Sequence, residues 1–184
     1  MRAPRRRACK LDVVVETAPW DEHRALRLLL RRAVDAAAAE LSTSGAELAI
    51  VLTDDSAIRV LNRKWRGIDA PTNVLSFPAD VPAGAPPLLG DIVLAYDTVA
   101  REAQRDGKPF AHHVAHLAVH GFLHLCGYDH ERDSDAETME QLERTILRRL
   151  DIPDPYRVKR QPTRPHAKPA RRKRQTRRRM TEKR

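Results

Sequence analysis

An α+β fold, in which a small mixed sheet of about four strands is packed by about five helices, is what this sequence predicts. Short β-branched runs alternate along the chain with longer segments whose apolar residues recur at helical spacing. One strand-like run is fenced by prolines and another is apolar almost throughout, so the sheet has an edge and a buried centre. The 184 residues are enough for one ordinary domain with a core and too few for two full-sized ones.

The first strand is read in 11-LDVVVE-16, followed by a long Ala- and Leu-rich helix over 21–41 that begins at Asp21, with Gly45 closing the unit. A second strand, 47-ELAIVLT-53, leads to Asp54 or Asp55 as the cap of a helix running to about Trp65. Ile58, Leu61 and Trp65 fall on one face of it. The apolar core of 71-PTNVLSFP-78 suits an edge strand, because proline cannot donate to a ladder. The piece 81-VPAGAPP-87 reads as a surface loop, and 90-GDIVLAY-96 as a buried strand, with Asp97 capping a helix that ends near Gly107. Residues 110–126 form a helix that is apolar nearly all round and is therefore expected at the centre. Four of its five histidines, His113, His116, His120 and His124, cluster on one side. A capping box, 134-SDAE-137, starts the last helix, whose stripe is Met139, Leu142, Ile146 and Leu150.

Charge divides the chain unevenly. Residues 157–184 hold 14 of the 34 Lys and Arg and a single acid, Glu182, so the body is mildly acidic and the end strongly basic. A basic run without apolar periodicity cannot bury enough surface to order itself, so 157–184 is expected to be a disordered arm. Within it Arg171, Arg172, Lys173, Arg174, Arg177, Arg178 and Arg179 are expected to form an electrostatic anchor for a polyanion, the other reading being a solubility or localisation tail. Residues 1–10 read as a basic leader and 11–156 as the functional domain. Two cysteines, Cys9 and Cys126, imply no disulfide framework. With no stretch of membrane-spanning length and no signal-peptide h-region, a cytoplasmic protein without a membrane partner is expected.

The chemistry concentrates in 120-HGFLHLCGYDH-130. Histidines four apart on a helix point the same way, so His120 and His124 can share one ion, and Gly127 lets the chain turn so that His130 returns as a third ligand. Three neutral nitrogens without a fourth protein ligand make an open site, the arrangement of a catalytic metal, and one zinc ion per chain is expected, with nickel or cobalt as the alternatives at the same ligands. His113 and His116 are read as supporting or packing residues, Cys126 as a buried apolar residue, and Asp129 as either orienting an imidazole or capping the turn. The spacing is that of the zinc-protease pattern H-E-x-x-H-x-x-G-x-x-H, but Gly121 stands where that pattern has its glutamate.

The motif resembles the signature of the YbeY family of rRNA maturation endoribonucleases. The segments 65-WRGIDAPTNVLSFP-78, 89-LGDIVLA-95 and 154-DPY-156 are similar to that family's other blocks, so the resemblance spans about residues 11–156. It implies a zincin-like α+β fold and a zinc-dependent, single-strand-specific endoribonuclease. The activity implied serves rRNA maturation, including the small-subunit 3′ end, and ribosome quality control, with the ribosome or its assembly factors as partners. It also implies that the zinc ligands are His120, His124 and His130, that Arg66 is the functional arginine, and that the missing glutamate is a family feature. RNA offers an internal 2′-hydroxyl as nucleophile beside metal-supplied hydroxide, a choice the sequence does not make, and the main demand of its cleavage is stabilising negative charge on phosphate oxygens. Zinc, polarising an oxygen or supplying hydroxide, and a phosphate-gripping Arg66 suit that demand. Asn73 and Ser76 are candidate neutral partners for RNA in the same cleft, with turn and strand chemistry as the other reading. Two rival functions are a zinc metallopeptidase and a non-catalytic RNA-binding ribosome assembly factor with structural zinc.

Overall fold

Strands β1 (Lys10–Val15), β2 (Glu47–Thr53), β3 (Val74–Pro78) and β4 (Leu88–Ala95) pair into one sheet in the order β1-β2-β4-β3. β1 and β2 are parallel, as are β2 and β4, while β3 runs antiparallel along the outer edge of β4. The proline-fenced run is thus at an edge, and the continuous apolar run lies inside the sheet. This computed structural model describes residues 8–43, 45–80, 88–130 and 132–157. The expected loop 81–87, the leader residues 1–7 and the arm from 158 onward, with Arg171 to Arg179, lie outside the described residues.

β4 is apolar on successive residues because both sheet faces are covered. Ile92 and Leu94 join the main core, whereas Val93 and Ala95 face a smaller cluster with Ile58 and Leu75. The main core is closed by α1 (Ala25–Leu41), α4 (Phe110–Leu125) and α5 (Asp133–Arg148). The smaller cluster is closed by α2 (Asp55–Arg66), and α3 (Tyr96–Arg105) follows β4 directly. α4 touches α1, α3, α5, β3 and β4, which accounts for its lack of a polar face.

Four local expectations are corrected. No α-helix begins at Asp21. Ala18–His23 is a 3₁₀ turn that buries Trp20, whose indole Nε1 donates to the Thr53 carbonyl at 2.8 Å, and α1 begins only at Ala25. Asp97 does not cap α3, because β4 runs into that helix at Ala95 without a loop and leaves Asp97 inside the first turn. The capping box at Ser134 does not form either: α5 starts two residues earlier than such a box requires, with Arg132 at its N-cap position. Ser134 turns instead to Asp135, and the acids of that turn face the positive helix end. Finally, Trp65 does not share the buried side of α2 with Ile58 and the half-buried Leu61 but is 62% exposed. The α2 cap, by contrast, is Asp54, which accepts from Ala57 N at 2.8 Å. Asp55 instead accepts from Thr98 N and Arg101 and ties α2 to α3.

Cys9 and Lys10, within the segment read as leader, belong to the described fold. Cys9 is buried in the main core, and the Lys10 ammonium pairs with Glu47 across β1 and β2.

Candidate metal centre and cleft

α4 delivers His120 and His124 one turn apart, and the chain leaves the helix through Cys126 and Gly127, whose φ of 85° is the left-handed region open to glycine. The Asp129 carboxylate accepts from the His130 backbone N at 2.7 Å, so it caps the turn that sets His130. Each of the three histidines offers a nitrogen within 4.8 Å of the other two. The Nε2 atoms of His120 and His124 are 3.1 Å apart, close to the roughly 3.3 Å that separates two nitrogens on one zinc. The donor set therefore fits a metal, and the three are the only such His/Cys/Asp/Glu group among the described residues. Burial, then the neighbouring His120 and His130, lowers the His124 pKa, which favours the neutral form that a metal requires. Burial pushes the Cys126 thiol up to about 11, as suits a packed and protonated side chain.

One residue central to the site was missed by sequence reading. Glu143 of α5 is fully buried, and its carboxylate accepts from His120 Nδ1 at 2.8 Å and from His116 Nε2 at 2.9 Å, with the Tyr156 hydroxyl as a third donor. Burial by itself would raise this carboxyl, but the hydrogen bonds from His116 and His120 outweigh it and hold Glu143 down to about 2. Burial and the bond to Glu143 push the Tyr156 phenol well above its usual range. An ionised carboxylate can only accept, so His120 carries its proton on Nδ1 and presents the Nε2 lone pair to the centre. A signal existed in the sequence: Glu143 interrupts the Met139–Ile146 stripe with a charge on its apolar side. His113 is likewise supported by an acid, Glu102, at 2.8 Å.

Gly121 has a steric reason. A Cβ there would lie 2.8 Å from Ile92 Cγ2 and 3.0 Å from Ser76 Oγ, so α4 rests directly on β3 and β4 at this point. No glutamate can occupy the position without lifting the helix off the sheet.

Arg66, the last residue of α2, lines the same cleft as His120, His124 and His130, a cavity of about 710 Å³. It is exposed and forms no ion pair among the described residues, leaving its guanidinium open to a ligand. Asn73 and Ser76 also line this cleft. The Asn73 side chain accepts from Val74 N at 2.7 Å and donates to Glu102 at 2.9 Å, which pins the start of β3, whereas the Ser76 hydroxyl lies over Gly121.

The family model described as endoribonuclease YbeY matches residues 15–151. The chain belongs to this family. An endoribonuclease YbeY from Rhodopseudomonas palustris is 55% identical over 152 residues, covering 79% of this chain and 90% of the relative. One from Bradyrhizobium diazoefficiens is 55% identical over 153 residues, covering 79% and 84%. The solution structure of TM1509 from Thermotoga maritima is similar with a TM-score of 0.49 at 23% identity, covering 80% of this chain and 99% of that one. In this YbeY-family chain the matched residues include all three histidines, Arg66 and Glu143. Among the described residues, no helix is long and apolar enough to cross a membrane.

Proposed function

We propose that this protein is a zinc-dependent, single-strand-specific endoribonuclease that matures ribosomal RNA, including the 3′ end of the small-subunit RNA, and serves ribosome quality control. The observation that carries the reading is the sharing of one cleft by three convergent imidazoles and an Arg66 that forms no ion pair among the described residues, in a chain of the endoribonuclease YbeY family. His120, His124 and His130 would hold the ion, and when bound it supplies a Lewis acid for the charge that develops on phosphate oxygens. Arg66 donates to the phosphate and neutralises part of that charge. The Ser76 hydroxyl offers a neutral donor on the cleft floor. Asn73 acts mainly by holding β3, since its amide is engaged within the fold. The basic arm adds sequence-independent attraction for rRNA, and two free cysteines accord with a cytoplasmic setting. A peptidase reading loses support at Gly121, where the pattern's general base has neither a side chain nor room for one.

The test is incubation of the zinc-loaded chain with single-stranded RNA, duplex RNA and unfolded protein, each with and without a chelator. Single-stranded RNA alone should be cut, and chelation should stop cleavage while circular dichroism stays near native. Cleavage that is indifferent to the chelator, or digestion of the protein substrate, would refute the reading. Global unfolding on chelation would point to structural zinc instead.

Glu143→Gln is expected to weaken zinc affinity by about 10–100-fold, because the amide no longer fixes His120 with a full charge. Competition against a chromophoric chelator measures this. Unchanged affinity would show that His120 does not depend on Glu143.

A further inference from the structure

The geometry points to Trp65 as a stacking platform for an unpaired nucleobase beside the phosphate held at Arg66. The inference rests on the endoribonuclease reading above and names the part of that cleft which would tell single-stranded from paired RNA.

Trp65 stands on the wall of the histidine cleft, next in sequence to Arg66, and is 62% exposed. A large aromatic surface left in water is costly unless something covers it, and α2 had a core-facing alternative at this spacing that the fold does not use. Its indole is not loose. The ring meets Phe77 of β3 with centroids 5.9 Å apart at 60°, which braces it against the sheet edge, and Lys64 Nζ lies 5.1 Å from its centroid. Phe77 lines the cleft as well. The surroundings are cationic: the last turn of α2 carries Arg63, Lys64 and Arg66, so a phosphodiester strand is attracted to the place where the ring waits.

Every base has a π-face, so one tryptophan can hold any of the four bases without reading sequence. A base stacked inside a duplex has both faces occupied by its neighbours and offers none to Trp65. Selection for single strands then follows from what the ring requires, with no contact to base edges. The short step from Trp65 to Arg66 would set the stacked base beside its own phosphate, an affinity that substrate and transition state share and that therefore lowers KM.

Two tryptophans occur in the chain, and Trp20 is buried, so the ring in question can be observed. The experiment titrates the zinc-loaded protein with a 2′-O-methyl single-stranded oligonucleotide, checked by gel to stay intact through the titration, and with the same backbone carrying abasic positions. Tryptophan emission is followed in the wild type, Trp65→Phe and Trp65→Ala, and steady-state cleavage is measured with ordinary RNA. We expect the oligonucleotide to quench wild-type emission and the abasic strand to quench it far less. In Trp65→Phe the quench should vanish while cleavage stays within a few-fold of normal. In Trp65→Ala, KM should rise by about ten-fold or more with kcat nearly unchanged, and the preference for single-stranded over duplex RNA should shrink. Equal binding and equal strand preference in Trp65→Ala, alongside normal wild-type cleavage, overturn the platform and leave the endoribonuclease reading standing. A wild type that neither binds nor cuts RNA overturns both.

Discussion

Arg66→Ala is expected to lower RNA cleavage by roughly 100- to 1,000-fold while zinc content and melting temperature stay near wild type. The side chain is exposed at the end of α2 and has no partner among the described residues, so its removal creates no cavity and orphans no charge. On the proposed function, what it removes is a donor to the phosphate on which negative charge grows. The loss should therefore appear in kcat, with RNA binding nearly normal, the opposite of the pattern expected for Trp65→Ala. Arg66→Lys should recover only part of the rate, because an ammonium lacks the planar fork that grips two oxygens. Single-turnover cleavage and equilibrium binding on the same RNA measure both halves, and wild-type rates in the alanine variant would remove Arg66 from the chemistry.

His124→Ala is expected to abolish both zinc retention and cleavage. Glu143 supports the centre only through His120, and losing such a contact costs about 10–100-fold in affinity, so losing a ligand outright should cost more. The fold should survive. His124 lies at the end of a helix whose anchoring residues Val114, Ala118, Val119 and Phe122 are fully buried in the apolar core, and alanine is the best helix former. Metal analysis after gel filtration, together with thermal unfolding, separates the two effects. One zinc per chain in the variant would overturn the ligand assignment, and collapse of the fold would show that the ion is structural.

The two cases differ in how far the chain alone foretold them. The spacing of His120, His124, Gly127 and His130 encodes the imidazole cluster directly, because a helical turn and a left-handed glycine are local geometry. Arg66, in contrast, reaches the cleft only because α2 and β3 come together beside the end of α4. Its own surroundings describe nothing more than an exposed helix terminus.

Local pattern also determined most of the architecture. Apolar periodicity placed the strands and helices to within a few residues, the two prolines put β3 at an edge, and the all-round apolar character of α4 put it at the centre. Errors gathered at helix starts. Asp21, Asp97 and Ser134 have side chains suited to capping, but the entering backbone, set by a 3₁₀ turn, a direct strand-to-helix junction and a start two residues early, decides whether a cap can form. Tertiary packing alone decided the rest. Glu143 lies 23 residues from the histidine it supports, and on its own helix it reads as a charge intruding on an apolar stripe. Gly121 reads as a missing base until Ile92 and Ser76 are found where its side chain would be. Trp65 reads as core until the sheet edge leaves it in solvent. Periodicity reports interactions within about one turn or one strand, whereas these three roles depend on which distant surface each residue meets, and that is settled only when the layers pack.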